Sequence, residues 1–128
     1  ASLDAAAARF RLQPEGTVLD RSALDALGRR SARLTPDGRW TWKFDWRAFY
    51  FDYQPVYEEA RRVSVPALVM RGEHSLTMPL AAFKSVLASL PDARGVELAG
   101  AYHHVTLDAP EATAEALASF LDSVGTRR

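Results

Sequence analysis

From Ser2 to Phe10 alanines follow one another behind Asp4, a pattern that favours a short helix terminated by Gln13, Pro14 and Gly16. A second helix is expected from an N-cap at Asp20 or Ser22, through Leu24 and Leu27 and the Arg29, Arg30, Arg33 cluster, to the turn Pro36-Asp37-Gly38. Trp40, Trp42 and Phe44 then alternate with Thr41, Lys43 and Asp45, the period of a strand or extended ribbon. Nine of the thirteen aromatic residues fall between Trp40 and Tyr57, where no sustained helix or strand pattern hosts them, so this segment is expected to cover something.

The pattern changes at Val65-Pro66. Ala67-Leu68-Val69-Met70 is a continuous apolar run between Pro66 and Gly72, which fits a buried parallel strand. Pro79 suits the first turn of a helix whose apolar face is Leu80, Phe83, Val86, Leu87 and Leu90. After Pro91-Asp92, Gly95-Val96-Glu97-Leu98 reads as a second strand, and strand, helix, strand describes a parallel crossover. The last helix is expected to open with Asp108 as N-cap, Pro110 in its first turn and Glu111 completing a capping box, and to end near Val124. A parallel pair is normally buried on both faces of a larger sheet. Either the aromatic segment adds strands, or the sheet is completed by another chain or a missing segment, and the second is the expectation.

Composition narrows the function. Sixteen basic residues balance sixteen acidic ones, so neither nucleic acid nor an anionic membrane is an expected partner. No apolar run is long enough to span a bilayer. The lack of cysteine excludes disulfides and thiolate metal sites and fits a reducing, cytoplasmic compartment. Gly72 belongs to no phosphate-binding glycine loop, and His74, His103 and His104 lack zinc-motif spacing, so no metal site is expected. Residues 1–10 lack the form of a signal peptide and begin as if already inside a protein, which suggests a fragment.

Candidate chemistry centres on Gly100-Ala101-Tyr102-His103-His104-Val105, beyond the second strand and before the last helix. Catalytic groups in open α/β sheets collect at the carboxyl ends of strands, where a histidine can titrate near neutral pH on a rigid support. The alternative is that one or both histidines pack beside an aromatic ring and satisfy a backbone group.

The order of these parts resembles the end of the α/β-hydrolase fold over roughly residues 60–123. The carrying sequences are Val65-Pro66-Ala67-Leu68-Val69-Met70-Arg71-Gly72-Glu73 and Gly100-Ala101-Tyr102-His103-His104-Val105-Thr106-Leu107-Asp108-Ala109-Pro110-Glu111. The resemblance implies an α/β class chain: two parallel core strands with flanking helices over residues 63–128, preceded by a mostly helical cap over residues 1–62. It places His103 as the general base, with His104 its neighbour. Ala8 to Pro14 and Trp40 to Asp45 look like the cap of epoxide-hydrolase-like or esterase-like members, which makes Trp40, Trp42 and Trp46 candidates to line an apolar substrate pocket. The alternative for each ring is that it anchors the lid.

Two departures from the family pattern stand out. Ser75 occupies the place of the family's acid, and a hydroxyl does not hold imidazolium by charge as a carboxylate does. Some relatives carry the acid on the preceding core strand, upstream of residue 1; Glu73 is a substitute displaced along the loop, Asp108 is explained as a helix cap, and Ser75 itself can be structural. Tyr102 replaces the usual glycine and brings a ring that could line the pocket. No serine here stands in a Gly-x-Ser-x-Gly elbow, so the first strands, the nucleophile with its oxyanion donors and the acid are expected on a complementary N-terminal hydrolase chain. The resemblance therefore implies the lid and general base of a hydrolase, inactive alone. In the assembled protein it would act on a small hydrophobic ester, thioester, amide or epoxide-like substrate without a cofactor. The competing readings are a non-catalytic hydrolase-like subunit that binds a hydrophobic ligand or partner, and an independent small α/β domain whose sheet the Trp40 region completes.

Overall fold

The computed structural model describes residues 2–49 and 56–125, with the side chains of residues 46, 49, 56 and 57 outside that set. Its contacts divide the chain into two compact units, one of residues 1–15 and 19–52, the other of residues 16–18 and 53–128.

The first unit is built from short elements. Helix α1 (Leu3–Ala7) is capped by Ser2, whose hydroxyl accepts the Ala5 N–H at 3.1 Å, and α2 (Arg21–Ser31) by Asp20, which accepts the Ala23 N–H at 2.8 Å. The two helices meet at Gly28, where a Cβ would lie 2.7 Å from Phe10 Cβ and 3.0 Å from Ala7 Cα. Strand β1 (Ala32–Leu34) pairs antiparallel with β2 (Trp40–Trp42), in the register Ala32 to Trp42 and Leu34 to Trp40. Arg33, expected in the second helix, thus lies in a strand opposite Thr41. The pairing with the Trp40–Trp42 ribbon outweighs the good helix propensity of Ala32, Arg33 and Leu34, a local preference that tertiary context overrides. The extended region ends at Trp42 and a 3-10 turn follows at Trp46–Phe49.

The second unit contains α3 (Val56–Ala60), β3 (Ala67–Gly72), α4 (Leu80–Ser89), β4 (Ala93–Leu98), the single turn α5 (Val105–Asp108) and α6 (Pro110–Gly125). Strands β3 and β4 are parallel, paired from Ala67 with Ala93 to Gly72 with Leu98. Successive strand residues face opposite sides. Gly95 lies under Phe83 and Leu87 of α4, while Arg94 donates to Ser119 Oγ of α6 at 3.0 Å, so the two helices cover opposite faces of the pair. Phe83 and Leu98 are buried, whereas Leu68, Val69 and Met70 of the apolar strand are only half-buried within this chain.

Among the described residues the hairpin and the parallel pair are separate two-stranded sheets. This overturns the independent-domain alternative, because the Trp40 ribbon pairs with β1 and adds no strand to β3 and β4.

Candidate active site

The site forms where β3 and β4 end side by side. Their register carries Gly72 opposite Leu98, and the two following loops are joined through their backbones. Glu73 N–H donates to Leu98 O at 3.0 Å and His74 N–H to Ala101 O at 2.9 Å. A Cβ at Gly72 would lie 1.8 Å from Tyr102 O and 2.5 Å from Ala101 O, so only glycine admits this approach. Glu73 accepts the Gly100 N–H at 2.8 Å. Glu73 thus pins the histidine loop, and its carboxylate is not hydrogen-bonded to His103.

Two further side chains brace the junction. Arg71, 6% exposed, donates from Nε to Met78 O and from Nη2 to Glu73 O, both at 2.9 Å, and pairs through Nη1 with Glu97. It spans the β3–α4 loop from within and lies 6.0 Å from the Phe83 ring centre. Asp108 accepts the Tyr102 N–H at 2.9 Å, the Val18 N–H at 3.1 Å and the Thr17 hydroxyl at 2.5 Å. The expectation that Asp108 caps the last helix is therefore corrected. That helix begins at Pro110, one turn of helix precedes it, and the Asp108 carboxylate serves the histidine loop and residues 17–18. Backbone N–H groups need acceptors, and the Asp108 carboxylate supplies one to Tyr102 and one to Val18.

His103 is exposed, with its Nδ1 turned toward the β3–α4 loop. Ser75 Oγ lies 3.1 Å and Thr77 Oγ1 2.7 Å from Nδ1. Ser75 is buried and also accepts the Met78 N–H at 3.2 Å. Among the described residues no carboxylate is hydrogen-bonded to His103. Partial loss of water and then the charge of His104, whose ring is 5.5 Å away, hold the His103 pKa below its ordinary 6.5. Hydroxyls orient an imidazole without supplying the negative charge that would raise its pKa.

The other sequence candidates are dispersed. The Tyr102 ring lies against Gly16 and 5.3 Å from the His74 ring. His104 is half-buried and its carbonyl starts α5 by accepting from Leu107 and Asp108 N–H. Trp40 and Trp42 line a cavity of about 240 Å³ within the first unit, with Ala5, Ala6, Arg9 and Thr41, and Trp42 makes an edge contact with Phe10 at 5.7 Å. The Trp46 side chain lies outside the described ones. Among the described residues no three His, Asp or Glu side chains are grouped as a metal site, and no helix is long and apolar enough to cross a membrane.

No family model matches the chain. Over 77 residues, 60% of its length, the chain is 35% identical to 2-(acetamidomethylene)succinate hydrolase of Mesorhizobium japonicum, of which the match covers 27%. The crystal structure of E-2-(acetamidomethylene)succinate hydrolase matches with a TM-score of 0.66 and 25% identity, over 81% of this chain and 40% of that one. An esterase from Mycobacterium tuberculosis matches with a TM-score of 0.71 and 23% identity, over 94% of this chain and 40% of that one. These matches point to the α/β-hydrolase family, whose fold the chain shares in part. The chain spans 27% to 40% of the length of these relatives. Within that fold, β3, α4, β4, the histidine loop and α6 are the C-terminal part.

Sequence reasoning singled out His103 and Ser75 but missed Thr77 and Arg71. Thr77 had no motif to mark it. A signal for Arg71 was present, because an arginine that continues an apolar strand must find partners for its guanidinium when buried.

Proposed function

We propose that this chain supplies the lid and the general-base histidine of an α/β-fold hydrolase that cleaves a small acyl compound. Residues 1–62 form the lid and residues 63–128 the end of the core. The observation that carries the reading is His103 itself, on a loop after a parallel strand, with Nδ1 engaged by side chains at the family's acid position. That leaves Nε2 as the atom to take a proton. The nucleophile lies outside these 128 residues, on a complementary N-terminal part that also extends the sheet past β3. The half-buried apolar residues Leu68, Val69 and Met70 support such a partner.

In the assembled protein, a nucleophile hydroxyl attacks the substrate carbonyl while Nε2 of His103 takes its proton. The resulting imidazolium returns that proton to the departing alkoxide, thiolate or amine, and water repeats the sequence on the acyl-enzyme. The relatives named as a succinate-derivative hydrolase and an esterase favour acyl substrates over epoxides, which would need an aspartate nucleophile. No cofactor is required. In the intact protein with its complementary part, His103→Ala should lower the turnover of activated esters by about a thousandfold or more while leaving the fold intact. Undiminished turnover would remove His103 from the mechanism.

The hydroxyl at position 75 favours a second reading, in which the protein binds a hydrophobic ligand without turnover. There His103→Ala would leave ligand affinity unchanged and no activity would be measurable in the parent protein.

A further inference from the structure

Two hydroxyls meet one ring nitrogen at the place where a family member holds a carboxylate. Thr77 makes the shorter contact, 2.7 Å against 3.1 Å for Ser75. Thr77 is exposed, so its own hydrogen can be given to water while its oxygen accepts. Ser75 is buried, and its oxygen already accepts the Met78 N–H, which ties the loop holding both hydroxyls to the start of α4. Arg71 fixes the same loop from beneath through Met78 O and Glu73 O. The Ser75–Thr77 segment is therefore a braced support for the imidazole.

We propose that Thr77 is a positioning residue for His103, accepting Nδ1–H with Ser75 closing the other side, so that the neutral ring presents a bare Nε2. The chemical role of that Nε2 rests on the hydrolase reading above; the orientation of the ring does not. The charged groups around the ring have other engagements. Glu73 holds Gly100 N–H, Asp108 holds Tyr102 N–H, Arg71 pairs with Glu97, and the His74 and His104 rings lie beside Tyr102 and His103 respectively. Among the described residues the contacts to Nδ1 are hydrogen bonds with uncharged hydroxyls, and a charge introduced at position 75 would be felt directly by the ring.

The experiment is nitrogen-15 NMR of the histidine-labelled intact protein, in which long-range couplings report which ring nitrogen carries hydrogen. At a pH where His103 is neutral, Nδ1 should be protonated. Thr77→Val should shift the ring toward the Nε2–H form, and Thr77→Ser, which keeps the hydroxyl, should restore it. An Nε2–H ring in the parent protein, or no response to Thr77→Val, overturns the proposal. Ser75→Asp gives an independent reading through the midpoint of the His103 titration. A rise of at least about one pH unit is expected from a carboxylate beside the imidazole, and an unmoved midpoint also overturns the proposal. Where turnover is measurable, Thr77→Val should lower kcat about tenfold, the worth of one hydrogen bond, with KM unchanged and Thr77→Ser restoring kcat. Turnover insensitive to His103→Ala, together with the expected NMR result, would reject the hydrolase reading and retain the positioning role.

Discussion

In the first unit α2 crosses α1 at Gly28, where an added Cβ would meet the Phe10 Cβ at 2.7 Å and the Ala7 backbone at 3.0 Å. In the second an added Cβ at Gly72 would meet the Tyr102 carbonyl oxygen at 1.8 Å. No rotamer change relieves either contact, because a Cβ is fixed by its backbone as a carbonyl is, so the approach at Gly72 differs in being the tighter of the two. The ion pairs of the first unit, Arg21 with Asp25, Arg29 with Asp4, Arg39 with Asp37 and Arg47 with Asp45, are exposed, as is Arg62 with Glu59 in the second, whereas Arg71 is buried and binds across strands and loops. The candidate catalytic residue sits in the unit with the tighter glycine approach and the buried arginine, and the aromatic cavity in the unit with the looser approach and the exposed ion pairs. A group that moves protons needs its position fixed to within fractions of an ångström, while an apolar wall tolerates adjustment.

Substitution at the two glycines tests that contrast most severely. Gly72→Ala should destabilise the second unit by at least about 3 kcal/mol and displace the histidine loop, seen as a lower urea midpoint and a changed His103 resonance. Gly28→Ala should cost the first unit about 1–2 kcal/mol and leave that resonance alone. Comparable losses at the two sites would break the distinction. For the charges, Arg71→Met should cost about 2 kcal/mol, since it leaves the part-buried carbonyls of Glu73 and Met78 without this donor, whereas Arg39→Ala should change urea stability by less than about 0.5 kcal/mol. The smallest effect concerns pH. Because folding lowers the His103 pKa from 6.5, the unfolded chain takes up the proton first as pH falls below 6.5. Stability should therefore decline slightly from pH 6.5 downward, level off below the folded pKa, and show this dependence more weakly in His103→Gln.

Much of the second unit was legible in the sequence. The apolar run from Ala67 to Met70 bounded by Pro66 and Gly72, and the spacing of Leu80, Phe83 and Leu87, carry the signals of strand and helix directly. The parallel direction of the pair then follows from the crossover, and His103 stands out because it follows the second strand. The first unit was less legible. Its strands are three residues long, too short for periodicity to mark, and Ala32 to Leu34 read as a helix end until Trp40 to Trp42 are brought alongside. The single turn α5 was hidden for a related reason, since Asp108 and Pro110 carry the same signals whether the aspartate caps a helix or binds a loop amide.

The sequence by itself determined the alternation of strand, helix, strand and helix after residue 65, the place of His103 and the hydroxyl where a carboxylate was expected. Those features depend on residue identity and on spacing within a few positions, which local backbone preferences translate into structure. Only the tertiary structure decided that Thr77 joins Ser75 at Nδ1, that Asp108 holds the histidine loop, and that Arg71 braces it from within. Thr77 and His103 are 26 residues apart, and no local rule reaches that far. They meet because β3 and β4 pair in one register, which brings Gly72 beside Leu98 and lets the following loops close to hydrogen-bond distance.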